Sequence, residues 1–227
     1  NPSNFNTNNS IELVLQKLKV NEIFYSLQGE SSYVGLPTTF IRLTGCPMRC
    51  NYCDTEYAFN AGNNLTITEI LKVISNYKTK NITVTGGEPL AQKECWNLLE
   101  SLCNQNYIVS LETGGGITIK NIDERVKIIL DIKTPGSGEE KNNLWDNLKF
   151  IKLEDEIKFV ITNLEDYKWA KKVLIRENLF EKASILFSPA SGKVNPKDLA
   201  DWILEDHLKV RFQIQLHKMI WGQIPGV

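Results

Sequence analysis

A chain of 227 residues, 42% hydrophobic and 23% charged, has the length for one sizeable core and the composition of an ordinary globular protein. Its 26 basic and 27 acidic side chains leave a formal net charge of −1 with no basic run of five, which argues against a nucleic-acid binder that neutralises phosphates. No segment approaches the ~18 apolar residues of a membrane span, and the polar, Asn-rich residues 1–10 lack the charged and apolar regions of a signal peptide. A cytoplasmic protein with reduced thiols is expected, without nucleic-acid or membrane partners.

Residues 1–20 read as an N-terminal arm and residues 21–227 as a single domain. Runs rich in Ile, Val, Phe and Thr predict strands at 22–26, 38–44, 81–85, 107–112, 126–133, 156–162, 183–188 and 210–216. Helical spacing appears between several of them. Ile67, Ile70, Leu71, Ile74 and Tyr77 form one face, with Thr66 or Thr68 as its cap. Tyr167, Ala170, Val173 and Leu174 form a second. Leu199, Trp202 and Ile203 form a third, capped by Asn195 with Pro196 in the first turn. The stretch 133–143, with Pro135, Gly136 and Gly138, reads as a long loop. Strands alternating with helices imply an α/β fold with a mostly parallel sheet covered by helices.

The segment Gly45-Cys46-Pro47-Met48-Arg49-Cys50-Asn51-Tyr52-Cys53-Asp54 follows the apolar run 40–43, so three thiols leave the C-terminal end of a strand together. The five cysteines are odd in number and crowded, which suits metal or catalysis better than a disulfide framework. Spacing alone leaves an iron–sulfur cluster, a zinc site and incidental cysteines open. A structural zinc ion wants a fourth protein ligand, whereas a [4Fe–4S] cluster held by three cysteines keeps an open iron position. Cys95 and Cys103 lie in a helical pattern and read as buried small hydrophobes.

The Cys-x3-Cys-x2-Cys pattern resembles the signature of the radical S-adenosylmethionine (SAM) superfamily. Thr85-Gly86-Gly87-Glu88-Pro89, after the next strand, is similar to that superfamily's Gly-Gly-Glu-Pro motif. Paired glycines let a backbone approach a ligand closely, and an acid suits an ammonium group. Ser26-Leu27-Gln28-Gly29-Glu30, Phe40-Ile41-Arg42-Leu43-Thr44, Cys53-Asp54-Thr55, Glu112-Thr113-Gly114-Gly115, Asp131-Ile132-Lys133-Thr134-Pro135-Gly136 and Gln215-Leu216-His217-Lys218 narrow the resemblance to the family of 7-carboxy-7-deazaguanine synthases of queuosine and 7-deazapurine biosynthesis.

That resemblance implies an open, incomplete (β/α) barrel of the radical SAM type and a lyase that converts 6-carboxy-5,6,7,8-tetrahydropterin to 7-carboxy-7-deazaguanine with loss of ammonia. It implies a [4Fe–4S] cluster on Cys46, Cys50 and Cys53, SAM, and Mg2+ on Thr55. Substrate contacts are implied for Leu27, Gln28, Gly29, Glu30, Arg42, Thr85 and His217. Cofactor contacts are implied for Gly87, Glu88, Lys133, Ser188, Pro189, Ala190 and Ser191. A flavodoxin or ferredoxin as electron donor and a homodimer follow from the same source. Two readings compete with it: a radical SAM activating enzyme for a glycyl-radical partner, and a non-catalytic zinc-binding module. The chain continues past the Gln-x-His-Lys segment through residues 221–227, where some family members end, so no terminal-carboxylate role is carried over.

Overall fold

A computed structural model describes residues 17–227, so residues 1–16 of the expected arm lie outside the described residues. Its strands are β1 (Lys17–Leu27), β2 (Pro37–Leu43), β3 (Asn63–Thr66), β4 (Asn81–Gly86), β5 (Ile108–Thr113), β6 (Lys127–Asp131), β7 (Glu156–Ile161), β8 (Ser184–Pro189) and β9 (Arg211–Phe212). The helices are α1 (Ile67–Ile74), α2 (Cys95–Asn104), α3 (Leu164–Arg176), α4 (Pro196–Glu205) and α5 (Leu216–Trp221). The strands form one nine-stranded sheet in the order β3-β1-β2-β4-β5-β6-β7-β8-β9. Every pairing from β2 to β9 is parallel, while β1 runs antiparallel to both β2 and β3. The end strands do not meet, so the barrel is open.

Two-residue alternation divides the sheet chemically. Ile41 and Leu43 of β2, Ile82 and Val84 of β4, Leu111 of β5, Ile128 and Leu130 of β6, and Phe159 and Ile161 of β7 join one apolar core. The helices complete that core with Ile67, Ile70 and Ile74 of α1, Leu98 and Leu102 of α2, and Leu199 and Ile203 of α4. The intervening strand residues Arg42, Thr85, Glu112, Asp131, Lys158 and Ser188 line a cavity instead. Local signals place the helices as read. Thr66 caps α1 in a reciprocal box with Glu69, and the Asn195 side chain accepts from Lys197 N before Pro196.

Two expectations change. The sheet begins at Lys17, because Lys17 to Val20 pair with Thr66 to Asn63 of β3. The end of the expected arm is therefore strand, and β3 was not expected from so short and Asn-rich a run. The run 210–216 is strand only at Arg211–Phe212. The Gln213 side chain exchanges 2.9 Å hydrogen bonds with Ser31 N and O, and Leu216 N donates to Gly29 O at 3.0 Å. These contacts pull the chain off the sheet edge and turn it into α5. In line with the long loop read at 133–143, the β6-to-β7 connection carries no α-helix, and neither does the β5-to-β6 connection. The β6-to-β7 connection is built of short 3-10 turns at Pro135–Ser137, Glu140–Asn142 and Trp145–Lys149.

Candidate active site

The cavity, about 550 Å³, opens at the C-terminal ends of the parallel strands, where α/β folds place their chemistry. Cys46, Cys50 and Cys53 lie on its rim in the loop leaving β2. Gly45 turns that loop at φ +97°, donating to Ala58 O at 2.9 Å and accepting from Glu88 N at 2.8 Å. A Cβ on Gly87 would stand 2.7 Å from Cys46 Cβ, so only glycine lets the β4 turn lie against the cysteine loop. The far side of the loop is held by residues after β6: Asn51 N donates to Ser137 O at 2.9 Å and Arg49 N to Glu139 Oε1 at 2.6 Å. The Arg49 guanidinium covers the Phe59 ring at 4.3 Å.

Three soft thiols around an open rim are the donor set of a cluster. Burial pushes the Cys46 thiol up and the Cys50 thiol up to about 11, so a bound cation is what would make them thiolates. Among the described residues no three His, Cys, Asp or Glu side chains group tightly enough for one metal ion. A structural zinc ion gathers its four ligands about one centre, while a cluster distributes its cysteines over several irons. Cys95 and Cys103 are carried by α2 and buried in the core, as expected.

Beside the cysteines, Gly87, Lys133, Ser188, Pro189, Ala190 and Ser191 line the same space. Burial disfavours the Lys133 ammonium, but Asp131 Oδ2 at 2.8 Å and the nearby Tyr52 and Cys50 outweigh it and raise its pKa. The Ser188 and Tyr52 hydroxyls and Asp131 Oδ1 are buried without a hydrogen-bond partner among the described residues, leaving them for a ligand. The loop after β6 is tied down by Asp166 of α3, which accepts from Gly136 N at 2.8 Å and Thr134 Oγ1 at 3.0 Å.

The inner part of the cavity takes Leu27, Gln28, Gly29, Glu30, Arg42, Thr85 and His217. Arg42 pairs with Glu22 at 2.7 Å, its guanidinium lying 5.7 and 5.8 Å from the Phe24 and Tyr57 ring centroids. Gln28 donates to Thr83 at 3.1 Å and Glu112 at 3.3 Å, and Thr85 Oγ1 donates to Glu112 at 2.9 Å. Burial and the Glu30 charge raise the Glu112 pKa. Burial would also raise that of Glu30, but the Lys158 ammonium and the Gln215 amide bring it below the usual range. Burial pushes His217 down, favouring the neutral imidazole. Thr55 Oγ1 lines the cavity 3.4 Å from Asp54 Oδ1.

Glu88 is the residue that departs from expectation. Its side chain is fully buried, outside the cavity lining. Thr113 Oγ1 donates to it at 2.8 and 2.9 Å, Gly114 N at 2.7 Å and Leu90 N at 3.1 Å. In this structure it braces β4 against β5 from behind the cavity wall. The sequence assigns no role to Tyr52, Asp54, Glu112, Asp131, Lys158 or Gln215 and leaves that of residues 221–227 open, yet all six and the segment from Gly222 to Val227 line the cavity. Tyr52, Asp54, Glu112, Asp131 and Gln215 lie inside the segments that carry the family resemblance, whereas Lys158 has no signal beyond its place on a strand.

Comparison with known proteins follows the same lines. Residues 40–135 match the Radical SAM superfamily. The Escherichia coli QueE crystal structure has this fold, with a TM-score of 0.76 and 21% identity over 92% of this chain and 98% of that one. The 7-carboxy-7-deazaguanine synthase of Chlorobaculum tepidum is 44% identical, over 90% of this chain and 94% of its own. That of Koribacter versatilis is 40% identical over 90% and 97%, and that of Thermoplasma acidophilum 36% over 92% and 99%. Such relatedness over nearly the whole chain sets aside the activating-enzyme and zinc-module readings, and with cysteines and polar pocket sharing one cavity the chain belongs to the 7-carboxy-7-deazaguanine synthase family of the radical SAM superfamily.

Proposed function

We propose that the protein converts 6-carboxy-5,6,7,8-tetrahydropterin to 7-carboxy-7-deazaguanine with loss of ammonia, as a step of queuosine or related 7-deazapurine synthesis in the cytoplasm. The observation that carries this is one cavity joining the cysteine loop and Gly87 to the polar pocket of Gln28, Glu30, Arg42, Glu112 and His217. Cys46, Cys50 and Cys53 would hold the cluster and the neighbouring groove SAM, and together these groups would supply reversible hydrogen-atom abstraction at the substrate.

The chain's own residues then bind, orient and exclude water. Glu30 is an ionised acceptor for ring N–H groups, and Gln28 and Thr85 set the carboxylate of Glu112 beside it. Arg42 is proposed to meet the substrate carboxylate, its plane held by Glu22 and the two rings. His217 contacts substrate as a neutral imidazole. Cys46, Cys50 and Cys53 hold the cluster. Gly87, Lys133 and Ser188 to Ser191 form the SAM groove, with Glu88 shaping it from behind. Mg2+ is proposed on the Thr55 hydroxyl, since magnesium accepts one protein oxygen and keeps its waters. The homodimer and a flavodoxin or ferredoxin donor are carried from the family resemblance. The exposed Phe212, Ile214, Met219 and Ile220 near the open sheet edge support the first.

The test is anaerobic reconstitution followed by incubation with reductant, SAM and the carboxytetrahydropterin. Multiple turnovers per SAM, with product and ammonia in equal amounts, are expected, and none from Cys50→Ala. A fully clustered wild type that cleaves SAM without forming product would overturn the reading.

A further inference from the structure

Lys158 enters the cavity from β7, and no role above uses it. Its side chain is 15% exposed, and its ammonium forms an ion pair with Glu30. Its register partner on β6 is Asp131, whose Oδ1 is buried and unpartnered among the described residues. Glu112 is the third carboxylate acting on it. The other cavity lysines and arginine have carboxylate partners of their own, Lys133 with Asp131 Oδ2, Lys218 with Asp54 and Arg42 with Glu22. The second Glu30 oxygen accepts from Gln215 at 2.7 Å, and Glu30 N donates to Gln28 Oε1 at 3.1 Å.

We propose that Lys158 is a positioning residue for the pterin, fixing Glu30 as an acceptor at one height in the cavity. Each carboxylate oxygen accepts more than one hydrogen bond, so the Glu30 oxygens tied to Lys158 and Gln215 retain capacity for the N–H groups of a reduced pterin ring. Stability alone does not explain the pair, because a buried ion pair is often matched or bettered by apolar side chains of similar volume. The inference rests on the substrate proposed above, and wild-type turnover of that substrate separates failure of one from failure of the other.

The experiment uses reconstituted holoenzyme at matched cluster content and measures KM and kcat for the carboxytetrahydropterin, with SAM affinity by equilibrium dialysis. Truncating one member of such a pair should raise KM in Lys158→Met by roughly thirty-fold or more, with kcat and SAM affinity changed much less. Lys158→Arg should restore most of the loss. Lys158→Met combined with Glu30→Gln should be no worse than the poorer single variant, since both act through one carboxylate. If Lys158→Met does not fold, Lys158→Gln in the Glu30→Gln background removes both charges and should match Glu30→Gln alone. An unchanged KM, an equal loss of SAM affinity, or single effects that multiply in the double variant would each overturn the assignment.

Discussion

Gly29 shows how one missing side chain builds a pocket. A Cβ there would sit well inside contact distance of His217 Nδ1, with Cγ at 2.9 Å and Cε1 at 3.1 Å. Leu216 N donates to Gly29 O at 3.0 Å, so the backbone at residue 29 also anchors the turn that carries the imidazole. Gly29→Ala should therefore displace His217 and raise KM for the pterin about ten-fold or more, a misplacement cost of the usual order for substrate-positioning groups. The cluster spectrum and SAM cleavage without substrate should persist. Adding His217→Ala removes the clash and should bring no further loss. A Gly29→Ala enzyme with wild-type KM would show that the imidazole has room to spare. Both residues were legible in sequence as parts of matched segments, but their mutual contact was not, because it joins the two ends of the chain.

At the scale of elements, α5 is attached to the cysteine loop through one carboxylate. Asp54 Oδ2 accepts from Lys218 Nζ at 2.5 Å and from Gln215 Nε2 at 3.1 Å. Burial would raise the Asp54 pKa, but the Lys218 ammonium and the Gln215 amide outweigh it and bring it down to about 2, from 3.8. A folded-state value below the unfolded one means the attachment is fully present above pH 3.8 and is lost as pH falls through about 2. Hydrogen exchange of residues 215–222, corrected for intrinsic rates, should rise between pH 4 and pH 2, and Asp54→Asn should show faster exchange already at pH 7. Protection that stays constant across this range would dismiss Asp54 as the latch. The run containing Gln215 reads as an alternating strand, and the bonds from Gln213 to Ser31, from Leu216 to Gly29 and from Gln215 and Lys218 to Asp54 turn it into a helix over the cavity.

For the whole molecule, the apolar core and the cysteine loop occupy different regions. The core lies between helices and one sheet face, while the cysteines sit at the strand ends. Removing the cluster by chelation and oxidation, followed by thiol reduction, should therefore leave far-ultraviolet circular dichroism and cooperative unfolding in place. Proteolysis should become faster in the stretch 46–62, whose order depends on few buried apolar groups. Loss of the unfolding transition on cluster removal would show that the sheet itself depends on the metal. The residue pattern alone determined the α/β class, three helices, the caps of two of them and the cysteine loop after β2, and the resemblance of short segments added part of the cavity lining, because periodicity, capping and short motifs are local. Tertiary structure decided that Glu88 is spent on Thr113, Gly114 and Leu90, that Lys17 to Val20 belong to the sheet, and that Glu30, Glu112, Asp131 and Lys158 meet around one space. Alternation states that such residues share a strand face. Which faces are brought together depends on sheet register between distant segments, and that is settled only when the chain folds.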